Sequence, residues 1–93
     1  MKTKALAVKY NKDSHSPVLI AKGEESFAKK IIEKAIEYDI PIYENKFTTD
    51  MLWEVDIDTM VPHDLWDILI EVYKYIIEYN ENFMKEVFYE SQN

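Results

Sequence analysis

No cysteine, no arginine and only one glycine occur among the 93 residues of this chain. Without cysteine there is no disulfide framework and no thiolate metal site, a composition suited to a reducing compartment. Without arginine the chain lacks the usual bidentate partner of phosphate groups and the usual reader of guanine edges. Histidine occurs twice, as His15 and His63. Neither stands at a spacing from a serine or carboxylate that would mark a metal site or a catalytic triad. No window offers the ~20 apolar residues of a membrane span. Lys9, Asn11, Lys12 and Asp13 interrupt the apolar start that a signal peptide needs. The chain is therefore read as soluble and cytoplasmic, and not membrane-inserted.

What is present is one small domain's worth of apolar residues. A hydrophobic fraction of 47% is too high for a disordered chain, and 93 residues support a single modest core. The net charge of −7 is unevenly placed. Residues 1–23 carry a net +4 from Lys2, Lys4, Lys9, Lys12 and Lys22 against Asp13, which leaves −11 on the remaining 70. A basic segment at one end raises nucleic acid as a partner. The overall acidity and the missing arginine oppose it, and the lysines are read as the solvated face of a hairpin, so no nucleic acid is expected.

Ala5 to Tyr10 alternates weakly and suits a strand. Asn11 to Pro17 is a turn cluster, and the apolar run Val18 to Ala21 is a second strand. Gly23 falls where the chain must turn sharply into a helix from about Glu24 to Tyr38. Phe27, Ala28, Ile31, Ile32, Ala35 and Ile36 form the stripe of that helix, and Pro41 ends it. Ile40 to Tyr43 is a third strand, reached from the second by a crossover. A short helix over Thr48 to Trp53 follows, capped by Thr48 or Thr49. Val55 to Asp58 alternates and suits an edge strand, with Asp56 and Asp58 on its solvated face. From Pro62 onward, Leu65, Leu69, Val72, Ile76, Tyr79, Phe83 and Val87 recur at three- and four-residue steps, the pattern of a helix of about six turns. Asn80-Glu81-Asn82 is a polar break within it. The predicted fold is α/β: a small mixed sheet of about four strands packed by three to four helices, with a long C-terminal helix.

Lys22-Gly23 ahead of a helix resembles a phosphate cradle only faintly, because a P-loop needs several backbone amides turned inward. No motif announces an enzyme, a metal or a cofactor, and none is expected.

Lys9-Tyr10, Ser16-Pro17, Val18 to Gly23, Ile40-Pro41-Ile42-Tyr43-Glu44-Asn45 and Val61-Pro62-His63-Asp64-Leu65-Trp66 form an ordered set. Over residues 1–76 this set resembles the cytoplasmic C-terminal domain of the FlhB family of flagellar export proteins and their virulence-secretion relatives. The stretch from Lys46 to Asp58 is one residue short of the family pattern. Residues 77–93 are expected to form a C-terminal helical extension within a single domain, 1–93. The resemblance implies a non-enzymatic component of flagellar type III export that stands in for, or supplements, the cleaved C-terminal fragment of FlhB in substrate-specificity control. Implied partners are membrane-bound FlhB, other export-apparatus proteins and early flagellar export substrates, met at the cytoplasmic face of the apparatus.

Members of the family resemble one another in cutting themselves between Asn and Pro of an Asn-Pro-Thr-His motif just before the first strand. Counting back from Tyr10, Met1 falls on the proline, Lys2 on the threonine and Thr3 on the histidine. The nucleophilic asparagine has no counterpart, so autocleavage is expected to be absent and the chain is expected to be free-standing. The family's apolar substrate patch carries over to Ser16, Pro17, Ile70 and Tyr73. The alternative reading is a cytoplasmic adaptor that keeps the fold and binds another protein through a C-terminal amphipathic helix bearing Phe83, Met84, Val87 and Phe88.

Overall fold

The computed structural model of the protein describes residues 3–11, 16–67, 69 and 85–91. The two alternating segments at the N-terminal end form β1 (Thr3–Asn11) and β2 (Ser16–Glu24), an antiparallel hairpin with Lys4 opposite Glu24 and Asn11 opposite Ser16. Ala7 lies opposite Ala21 and Val8 opposite Leu19, so Ile20 is one residue too many on β2 and makes a β-bulge. The bulge has a packing consequence. Ile20 and Ala21 both reach the face that carries Ala7, while Leu19 and Lys22 reach the opposite face.

Next come α1 (Ser26–Glu37), β3 (Ile42–Glu44), α2 (Lys46–Trp53), β4 (Thr59–Met60), a 3₁₀ turn (His63–Leu65) and β5 (Lys85–Ser91). Among the described residues the sheet has five strands in the order β3-β5-β1-β2-β4. β5 is antiparallel to β1 and parallel to β3, so β2-α1-β3 is a parallel crossover that passes over β1 and β5. β1 is central, and Ala5, Leu6, Ala7 and Val8 are all buried on one face or the other.

Two cores result. Leu6, Val8, Leu19, Leu52, Val55, Val61, Leu69 and Phe88 form the larger, under α2 and the segment that follows β4. Ala7, Ala35 and Val87 form the smaller, under α1, ringed by half-buried Ile20, Ile31, Ile32, Ile40 and Ile42. The first sheet face is sealed by large side chains. The second is covered by a helix whose buried positions, Ala28 and Ala35, are small.

Several expectations need correction. Lys85–Ser91 is a strand, where the helical spacing of Phe83 and Val87 predicts helix. Val87 and Phe88 face opposite cores, so a buried two-sided strand satisfies both, whereas a helix stripe would have put them in one seam. The helix expected from Pro62 onward is a 3₁₀ turn at His63–Leu65, with helical residues at Trp66, Asp67 and Leu69; residues 70–84, where the rest of it is expected, lie outside the described residues. Val55 to Asp58 is a turn rather than a strand: Asp58 has φ 67° and its N–H donates to Leu19 O at 2.7 Å. The edge strand is the next pair, Thr59–Met60, against Val18 and Leu19. α2 starts two residues earlier than predicted, because Asn45 rather than a threonine caps it; Thr48 N–H donates to Asn45 Oδ1 at 3.0 Å.

The turn into α1 is made by Glu25, at φ 53° and ψ −113°, and not by Gly23, which lies in β2. Glycine is needed at 23 for space: a Cβ there would meet Phe27 Cβ at 2.6 Å. At the other end of α1, Asp39 takes φ 55°. Ile40 N–H bonds Ala35 O at 2.8 Å and Asp39 N–H bonds Ile36 O at 3.3 Å, the two bonds of a Schellman cap. A chain with one glycine has placed its left-handed positions on acidic residues, of which aspartate tolerates them best.

Candidate functional site

Ser16 and Pro17 open β2, and both are buried. The Pro17 carbonyl accepts a hydrogen bond from Val61 N–H at 2.9 Å. That bond brings the start of β2 against the segment leading into the last described helical residues. The segment is fixed from within. Trp66 Nε1–H donates to Val61 O at 2.6 Å, and the His63 ring stands edge-on to the Trp66 ring, 4.1 Å between centroids. Leu65 and Trp66 pack on the larger core, while Met60, Pro62, His63 and Asp64 are exposed beside them. Of the four expected patch residues, Pro17 is therefore placed against the Val61–Trp66 segment, Ser16 is buried beside it in β2 opposite Asn11, and Ile70 and Tyr73 lie outside the described residues. In the sequence Trp66 and His63 stand out only as part of the Val61–Trp66 block; nothing in their spacing foretells the edge-on contact of their rings.

The other motif blocks turn out to hold elements together. Lys22 Nζ donates to Trp53 O and to Val55 O, each at 2.9 Å, and lies 5.8 Å from the centre of the Trp53 ring. It places a cation on the carbonyl end of α2, where the helix dipole is negative. Asn45 caps the opposite end of α2, and its own N–H donates to Tyr89 O at 2.9 Å. Glu44 accepts from the Tyr89 hydroxyl at 3.1 Å, which pushes the Tyr89 pKa up from 10.0. Pro41 O accepts from Val87 N–H at 3.0 Å. The Ala-Lys-Gly and Ile-Pro-Ile-Tyr-Glu-Asn blocks thus fasten α2 and β3 to the sheet.

Near β1's start, Glu90 is almost fully buried, with Lys4 Nζ at 3.7 Å and Lys46 Nζ at 3.5 Å. Lys46 also donates to Asp50 Oδ2 at 2.7 Å. That hydrogen bond, first among the causes, holds the Asp50 carboxyl below its ordinary 3.8 and the Lys46 ammonium above its ordinary 10.5. Both lysines stand at ion-pair distance from Glu90, whose oxygens accept no hydrogen bond among the described residues, and the cluster ties β1, β5 and α2 together. Among the described residues, no group of three or more histidine or acidic side chains is arranged to hold a metal ion. No described helix is long and apolar enough to cross a membrane.

Among the described residues, a five-stranded mixed sheet with a helix on one face and a fastened α2 plus tryptophan-anchored segment on the other defines a small α/β domain. Residues 3–76 match the family described as the FlhB HrpN YscU SpaS family, and the chain belongs to it. It is 34% identical over 74 residues to the flagellar biosynthetic protein FlhB of Bacillus subtilis, covering 77% of this chain and 21% of that protein. It is 29% identical over 83 residues to FlhB of Helicobacter pylori, covering 88% of this chain and 23% of that one. The chain thus spans about a fifth of the length of these FlhB relatives. It is also 26% identical over 80 residues to the uncharacterized protein YlqH of Bacillus subtilis, of which it covers 86%.

Proposed function

We propose that this chain is a protein-binding domain of flagellar type III export, without enzymatic activity, that stands in for or supplements the C-terminal part of FlhB in selecting export substrates. The reading rests on the family match over residues 3–76, which takes in every strand but β5. The bond from Val61 N–H to Pro17 O adds the local geometry: it holds together two family blocks distant in sequence. Met60, Pro62 and His63 are exposed there, on a segment held by the bond to Pro17 O and by Trp66. Partners are export-apparatus proteins, membrane-bound FlhB first, met on the cytoplasmic side, and early export substrates.

Of the residues named for the adaptor alternative, Val87 and Phe88 are buried in β5 and offer no helix face to a partner, and Phe83 and Met84 lie outside the described residues. The test is co-purification with membrane-bound FlhB truncated after the asparagine of its Asn-Pro-Thr-His motif. The chain should be retained, and His63→Asp with Met60→Asp should release it while the fold persists by circular dichroism. Failure of the folded wild-type chain to co-purify would end the replacement reading.

A further inference from the structure

On the sheet face opposite Trp66, α1 packs on the strands but leaves a gap along them. Three small residues explain the gap: Ala7 on β1, Ala21 on β2 and Ala35 on α1 face one another where larger side chains would fill the space. The result is an open groove of about 360 Å³, within the size range of pockets that receive ligand groups. Its rim carries Lys30 and Lys34 from α1 and Lys85 from β5. Among its described lining residues there is no carboxylate. A run of lysines around an apolar floor stands out in a chain of net charge −7.

The sheet adds a second, independent observation. Lys9 on β1 lies directly opposite Lys85 on β5. Ala7 and Val87, two residues along each strand, belong to the α1-side core, so both lysines share that face. Like charges paired directly across strands are unfavourable unless something neutralises them. Only Lys34 has a described acidic neighbour on the rim, Glu37 at 3.5 Å, and that pair is exposed.

We propose that this groove is a docking site for an acidic peptide segment of a partner protein: one apolar side chain entering over the alanines, flanked by carboxylates that meet Lys9, Lys30, Lys34 and Lys85. A peptide suits the observations better than an anionic bilayer. The lysines surround a concavity rather than form a flat array, and most of the molecule would be repelled by a negative surface. The inference is separate from the export reading, since the groove and the Pro17–Trp66 surface lie on opposite faces of the sheet.

The test uses the full chain with 13C-labelled alanine methyl groups. The probe is the synthetic hexapeptide Glu-Glu-Leu-Phe-Glu-Glu, with Glu-Glu-Gly-Gly-Glu-Glu as the control without an anchor. On titration the Ala7, Ala21 and Ala35 methyl signals should move, while those of Ala5 and Ala28, which do not line the groove, hold still. Charge reversal at the rim, Lys34→Glu with Lys85→Glu, should weaken binding at least about tenfold, the scale set by losing two charge contacts. Ala21→Leu should fill the floor and abolish the shifts with the lysines intact. Unmoved alanine signals at millimolar peptide, equal binding of the anchorless control, or unchanged affinity after charge reversal would each overturn the proposal. So would alanine shifts produced by phosphatidylserine vesicles and not by the peptide, which would make the face a lipid-binding one.

Discussion

Replacing Lys22 by methionine isolates the fastening of α2 to the sheet. The substitution keeps most of the apolar stem and removes the ammonium that bonds Trp53 O and Val55 O, each at 2.9 Å. A hydrogen bond to a charged group contributes about 1.5–3 kcal/mol, and a cation at a helix C-terminus about 0.3–1 kcal/mol. Lys22 is half-buried, so water replaces part of what is lost. We expect a net loss of about 2 kcal/mol, a fall in Tm of about 8–16 °C for a domain of this size. Urea denaturation followed by tryptophan fluorescence measures it, with Trp53 beside the changed site. The loss should persist in 1 M NaCl, because a partly buried contact is screened less than a surface pair. A loss below about 0.5 kcal/mol would refute the reasoning and return Lys22 to the pool of ligand-binding candidates.

Four further outcomes follow from the same geometry. Glu25→Gly should stabilise the domain by about 1 kcal/mol, read by denaturant midpoint, since it relieves a φ of 53° with ψ −113° that side chains rarely adopt. Gly23→Ala should cost about 1–3 kcal/mol, because its Cβ meets Phe27 Cβ at 2.6 Å. Phe88→Ala should cost about 3–5 kcal/mol by chemical denaturation if Lys85–Ser91 is the buried strand, and almost nothing if Phe88 sat on an exposed helix. Acid unfolding should be shallower in Lys46→Met than in the wild type. The depressed Asp50 carboxyl contributes stability above its ordinary 3.8 and loses it as pH falls through the lower folded value, and this contribution needs Lys46.

The hairpin, α1, β3 and α2 were legible in the sequence because their signals are local: alternation, a helical stripe and a short apolar run. Their ends were less legible. Three turning positions fall on Glu25, Asp39 and Asp58, and acidic residues do not announce a positive φ as glycine does. The bulge at Ile20 has no sequence signature, yet it decides that Lys22 faces α2. β5 does not read as a strand in the sequence because Phe83 and Val87 fit a helical step, and only its long-range pairing with β1 and β3 makes it one. For the candidate site, the family blocks pointed to Ser16, Pro17 and Val61–Trp66. What they could not convey is which blocks form a surface and which, such as Lys22 and Asn45, hold the domain together.

The most direct test of the central claim is complementation. In Bacillus subtilis whose FlhB ends at the asparagine of its Asn-Pro-Thr-His motif, this chain is supplied in trans and secreted hook and filament proteins are measured. The account predicts restored export that is lost with His63→Asp and Met60→Asp and kept with Lys34→Glu and Lys85→Glu. No export from cells that accumulate the folded chain would contradict it.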